Sequence, residues 1–211
     1  NTVGSHSTAI GTFALTAQNP ATATDMYNTA VGSGAGQSIT TGTVNTIIGG
    51  LAGDALTVGN SNTVVGYGAL TTDTKGDRNV AIGVSALEQQ NFTTSTDSVN
   101  TAVGYACGQS ITTGTFNTLV GGNTGDALAD AHFNTAIGLQ ALTTDTEGNY
   151  STAVGYRALA TQNLTTSTNT YNVAVGADAG LSITTGTINT IVGGLAGDAL
   201  TVGNSNVVVG Y

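Results

Sequence analysis

Two histidines, one cysteine and twelve acids are the side chains best suited to catalysis or metal binding in this sequence. His6 and His132 stand far apart, the second in an irregular Ala-Asp-Ala-His-Phe stretch (129–133). A catalytic triad or a zinc site needs several such groups converging, so both histidines read as turn residues. Cys107 fills a slot that is otherwise mostly Ala, and reads as a small core residue. A lone cysteine permits no internal disulfide. Asp54, Asp126 and Asp198 sit in Gly-Asp-Ala-Leu segments that faintly resemble a calcium-binding repeat. Such sites gather several oxygens on neighbouring turns, whereas these acids are 72 residues apart. Asp54, Asp73 and Asp77 are nearer in sequence, and two carboxylates ~5–10 Å apart serve glycoside hydrolysis. Asp is also a favoured turn residue, hydrogen-bonding its own backbone. Gly-Ser-Gly-Ala-Gly (32–36) lacks the Lys and the helix of a phosphate loop. Asn91, Asn149 and Asn163 lie in Asn-x-Ser/Thr sequons, which arise by chance in a chain so rich in Asn and Thr. The expectation is no cofactor, no metal and no enzymatic activity.

The organising feature is a short motif, Asn-Thr-Ala-Val-Gly, written twelve times with small variations. Its glycine falls at 11, 32, 49, 66, 83, 104, 121, 138, 155, 176, 193 and 210, at intervals of 21, 17, 17 and 17 that repeat every 72 residues. A fixed period near ~20 residues means one structural unit stacked on copies of itself. The sequence therefore predicts an all-β parallel solenoid, or β-roll, of about twelve coils. It forms a single domain over 1–211, with superrepeats at 11–82, 83–154 and 155–211. The chain opens inside a repeat and ends just past another, as a window of a longer fibre would. The four extra residues of each long unit predict loops at Pro20–Met26, Thr93–Ser98 and Thr165–Thr170.

Composition narrows the partners. The net charge is −9 with only Lys75, Arg78 and Arg157 cationic. Nucleic acid needs several cations to neutralise its phosphates, and anionic lipid repels this sign. No apolar run approaches the ~18 residues of a membrane span.

As a strand, the motif alternates sides: Thr29 and Val31 face one way, Asn28, Ala30 and Gly32 the other. The Val31 position is Val or Ile in all twelve copies, and reads as the packed interior. The Ala30 position is never polar; Ile47, Val64, Leu119, Ile191 and Val208 are its bulkier members. A strand apolar on both faces is buried on both. Either a sister chain covers the Ala30 row, making these six residues an oligomer interface, or each coil folds its own second strand over it. The first reading predicts a parallel homotrimer. Three residues after each motif glycine a small residue recurs, Ala in nine of eleven cases, which predicts a second short strand after a glycine bend. Asn opens ten of twelve motifs, predicting a stacked Asn ladder, and Thr follows in nine.

Ser151–Leu159 (STAVGYRAL) and Asn62–Leu70 (NTVVGYGAL) resemble the repeats of phage-type tail fibre proteins. They are also similar to the Ser-Val-Ala-Ile-Gly repeats of YadA-type trimeric autotransporter heads, whose repeat is shorter. The resemblance implies a β-roll in each of three parallel chains, and attachment to a surface from an extracellular or virion position. Receptor contact is expected from the long loops or from exposed Tyr105 and Tyr156. Two alternatives accompany this reading: an ice- or crystal-surface binder using rows of Thr, and a glycan depolymerase fibre using Asp54, Asp73 and Asp77. Against the first stands the expectation that the motif Thr points inward with Val31.

Overall fold

A computed structural model describes residues 3–211. It is a parallel β-solenoid of about twelve turns without a helix among the described residues. Each motif forms a three-residue strand, from Thr8–Ile10 through Thr29–Val31 and Thr46–Ile48 to Val207–Val209. Twelve such strands build one sheet in chain order, all parallel and all in register. Thr29, Ala30 and Val31 lie beside Thr46, Ile47 and Ile48. The register also survives the 21-residue coils, where Thr8 still pairs with Thr29. The extra residues there are not free loops throughout. Thr24–Asp25, Thr96–Asp97 and Thr168–Asn169 pair with Gly4–Ser5, Gly76–Asp77 and Gly148–Asn149 of the coil before.

The motif glycines end the strand because no other residue fits. Gly104 has φ +143°, and a Cβ built on it would lie 2.2 Å from the Gly121 carbonyl oxygen. Beyond the glycine the sequence predicts a second strand, and here the structure differs. This side is a stack of turns with positive φ at every second residue, as at Ala106 (49°) and Gly108 (59°). Amides alternate between closing a local turn and reaching a neighbour: Ala35 N–H donates to Gly32 O, Gly36 to Ala52 O, Gln37 to Gly34 O and Ser38 to Asp54 O. Tight coiling of this kind satisfies the backbone within a width that an extended strand would exceed.

Between sheet and turns lies a narrow core. Ala35, Ala52, Ala69 and Ala86 enter it from the turns, with Ile39, Leu56, Leu70 and Leu87 behind them. From the strand side enter Ala30, Ile47, Val64, Leu119 and Ile191, all fully buried within a single chain. Val208, in the last coil, is partly buried against the same core. This overturns the expected interface: the chain itself covers the Ala30 row, and these six residues pack its interior. The Val31 row is the outer one. The strand's two faces are inverted relative to the sequence reading, although the grouping of side chains by face holds.

The predicted Asn ladder is present and buried. Asn45 donates its Nδ2 hydrogens to Asn28 Oδ1 (3.1 Å) and to the Gly59 carbonyl that closes its own coil (2.9 Å). Its Oδ1 accepts from the backbone N–H (2.9 Å) and Nδ2 (3.1 Å) of Asn62. All four bonding positions of the amide are filled. Asn117 and Asn189 hold the same inter-coil position. In the 21-residue coils a glutamine reaches across the gap: Gln18, Gln90 and Gln162 Oε1 accept from Asn28, Asn100 and Asn172.

Adjacent residues of one strand test this assignment of faces. Leu119→Asp puts an unpaired carboxylate in the core, at a cost of about 3–5 kcal/mol by comparison with other uncompensated buried charges. It should abolish the cooperative melt and the β circular-dichroism spectrum. Val120→Asp, one residue on and facing outward, should keep both. Equal damage from the two would reverse the assignment.

Candidate interaction surface

The outer face of the sheet follows from the alternation. It carries two parallel lanes, Thr (with Val80, Val173 and Val207) and Val or Ile, one pair per coil. Ile48, Ile82, Val120, Ile137, Val175 and Val192 are each between 36% and 40% exposed, Val31, Val65, Val103 and Val154 are less so, and Ile10 and Val209 at the two ends are more so. None of the twelve strand triplets contains a charge. A partly exposed β-branched lane running the length of the rod is apolar surface without a cover in the single chain.

Two columns flank the lanes. After the motif glycine come Tyr67, Val84, Tyr105, Leu139 and Tyr156, all exposed. Tyr105 and Tyr156 thus stand outward as the sequence reading expects, and the Arg157 guanidinium lies 5.7 Å from the Tyr156 ring centre. Before the motif Asn, sequence reasoning missed a second column. Phe116, Phe133, Tyr150 and Tyr171 stack face to face, with ring centres 5.0, 5.0 and 5.2 Å apart. The signal was available: these four residues are spaced 17, 17 and 21 apart, one place ahead of each motif. Positive φ at all four turns them outward.

The candidate chemical residues do not come together. His6 Nδ1 lies 3.0 Å from Asp25 Oδ1, and its ring stacks on Tyr27. His132 takes the place that Asn60 holds one superrepeat earlier: its Nδ1 accepts the Thr115 N–H at 3.1 Å, as Asn60 Oδ1 accepts that of Thr43. Burial pushes the Cys107 thiol up to about 12, so it stays protonated in its alanine slot. Asp54 accepts from the Thr71 hydroxyl at 2.5 Å. Asp77 accepts from Asn60 and from Ser95. No three His, Cys, Asp or Glu side chains gather to hold a metal among the described residues.

Asp73 is fully buried. Its Oδ2 accepts from Gln90 Nε2 at 2.6 Å, and its Oδ1 from the Lys75, Gly76 and Phe92 amides. It ties a 17-residue coil to the 21-residue coil that follows, and Asp145 makes the same bond to Gln162. Desolvation by burial raises the Asp73 pKa above the ordinary carboxylate value, outweighing the hydrogen bonds that pull it down. Comparison of the chain with protein-family models, curated proteins and solved structures gives no match.

A raised folded-state value means that the fold binds the Asp73 proton more readily than the unfolded chain does. Its contribution is most favourable below the unfolded value of ~3.9 and is lost as pH rises through the folded value. Between pH 7 and 4, the melting temperature of the native chain should therefore rise relative to that of Asp73→Asn. Parallel pH profiles for the two would contradict this account.

Proposed function

We propose that the chain is a rod-forming segment of an extracellular or virion surface fibre, built from three parallel copies and serving attachment. The observation that carries this reading is the charge-free outer lane of Val and Ile, partly exposed along the whole sheet. At ~4.8 Å per layer twelve coils make a rod ~55–60 Å long, and the strip on its face covers several hundred Å2. A partner that meets every layer alike must have the same pitch, and another copy of this chain does. Three copies around an axis cover all three strips, and cyclic closure stops sideways growth. The interface is then the Val31 row with its Thr neighbours, in place of the Ala30 row. The likeness of the repeats to tail fibre and YadA-type head repeats supports the same reading. Exposed loop residues Thr93, Thr94 and Ser95 and the tyrosines Tyr105 and Tyr156 offer the less uniform surface that a receptor needs.

Native mass measurement tests it directly. The unmodified chain should be a trimer. Val103→Asp, Val120→Asp and Ile137→Asp together should give monomers with an unchanged β spectrum. An unmodified chain that stays monomeric at high concentration, with its β spectrum intact, overturns the proposal.

One structural observation favours the ice- or crystal-surface reading. The Thr lane faces outward, which removes the objection that it points into the core. A flat row of Thr one layer apart, beside a row of β-branched apolar groups, is suited to holding ordered water. This reading needs the same face to be free. It predicts a monomer that shows thermal hysteresis, lost in Thr101→Lys plus Thr135→Lys; absence of hysteresis in the unmodified monomer disposes of it. The carboxylates of Asp54, Asp73 and Asp77 are engaged between coils, which leaves the glycan-cleaving reading without a supporting observation.

A further inference from the structure

The two columns that flank the outer lanes vary in size against one another. Motifs are counted in fours from the one that ends at Gly11. At the second of each four, the residue after the glycine and the residue before the Asn are Ser33 and Tyr27, then Tyr105 and Val99, then Ala177 and Tyr171. At the fourth they are Tyr67 and Ser61, Leu139 and Phe133, Tyr211 and Ser205. When the middle superrepeat changes one flank at these places, it changes the other in the opposite sense. The third motif has a glycine on the first flank, at 50, 122 and 194, and Val44, Phe116 and Ile188 on the second.

Nothing within one chain requires the flanks to accommodate each other. The motif strand stands between them, and the ring stacking runs along the column before the Asn without crossing to the other. A Cβ built on Gly122 would meet only the Leu139 side chain of the next coil within 4 Å, so the Phe116 ring of its own coil is not what keeps that place empty. Tyr27, Tyr67, Tyr105, Phe133 and Tyr171 are all exposed.

We propose that the two columns are the halves of one seam between copies of this chain. The column after the glycine of one copy lies against the column before the Asn of its neighbour, layer by layer. The inference rests on the parallel assembly proposed above and adds what the flanks do in it. Copies closed around an axis along the rod are related by rotation alone, so each coil stands level with the same coil of its neighbour. Sheets that face the axis bring opposite flanks of adjacent copies together. Large side chains then meet small ones, Tyr171 with the neighbour's Ala177, Phe116 with its Gly122 and Tyr67 with its Ser61, as close-packed interfaces require. The first motif of each four is the exception, with Tyr156 and Tyr150 both large. There the side chain before the Asn is drawn along its own chain, His6 and Arg78 to acids of the long coil and Tyr150 into the ring stack. Those layers lie outside the seam, which leaves Tyr156 to a receptor and assigns Tyr105 to the neighbouring copy.

Exchanging sizes tests the seam. Ala177→Tyr sets a tyrosine against the neighbour's Tyr171, and overpacking of this kind should weaken assembly at least about tenfold. Adding Tyr171→Val makes the layer a copy of Tyr105 with Val99, and should restore the native trimer by mass measurement. Both variants should keep the β spectrum, because Tyr105 already occupies the same place one superrepeat earlier. A second measurement is independent of them. Ala177→Cys with Tyr171→Cys should cross-link under mild oxidation into a covalent trimer on a denaturing gel. Ala177→Cys with Phe133→Cys, two layers out of step, should not. A monomeric unmodified chain overturns the assembly and the seam together. The seam alone falls, with the assembly left standing, if the trimer forms undiminished in Ala177→Tyr or is not restored by Tyr171→Val. It falls likewise if a folded trimer cross-links through the mismatched pair or fails to do so through the matched one.

Discussion

One coil of this chain cannot stand alone, and the side-chain amide of the motif Asn is what makes the next coil obligatory. Buried amides are costly unless every donor and acceptor is met. Asn45 meets that demand by closing its own coil through Gly59 O while bonding Asn28 on one side and Asn62 on the other. The ladder therefore sets pitch and register together. A slip of one residue would carry Asn to the outer face and Val to the core, leaving the Gly59-type carbonyls unpaired. The strand triplets, only three residues long, inherit a register that they are too short to specify themselves.

That dependence explains how the 21-residue coils are tolerated. Across the long coil the Asn100 backbone N–H still donates to Asn79 Oδ1, while its side-chain amide turns to Gln90, which links Asn100 to Asp73. Gln162 does the same between Asp145 and Asn172. The added length is then laid against the preceding coil as a two-residue strand pair, such as Gly76–Asp77 with Thr96–Asp97. A buried carboxylate is the less favourable part of this device, since burial resists its ionisation. Its four hydrogen bonds are what make it tolerable at neutral pH.

The solenoid, its coil count and the ladder were readable from the spacing of Asn28, Gly32 and their copies, because period and alternation are geometric. Which face is inside was not, because both rows are apolar and alternation says only which side chains share a face. The resolving clue was the Asn itself. It shares a face with Ala30, and an amide ladder with four partners per residue belongs in the interior, so Ala30 had to be there as well. Small size was the second clue: Ala on the strand faces Ala35 and Ala52 across a core narrowed by turns. Val and Ile are in the outer lane because extended backbone favours β-branched side chains on a half-buried surface. The second strand failed for a reason invisible to periodicity. Non-glycine residues such as Leu70 and Ala106 take positive φ there, a conformation that neither their residue type nor the apolar spacing marks.

The surface divides into columns that the repeat keeps and columns that it lets vary. The outer lanes are alike in every coil, and a surface that repeats at one pitch distinguishes only partners of that same pitch. It suits self-association or a lattice and cannot single out a receptor. The column before the Asn is different: at equivalent places of the three superrepeats stand His6, Arg78 and Tyr150, with Asp25, Asp97 and Asn169 beside them across the long coil. His6 and Arg78 bond their acids, whereas Tyr150 extends the aromatic stack to Tyr171 and Asn169 bonds the Tyr171 hydroxyl. The backbone in these places is unchanged, so the ladder within fixes the scaffold and leaves the outward side chains free to differ. Individuality along the rod therefore resides in this column and the adjoining long coils, where a partner without the rod's period has something particular to bind.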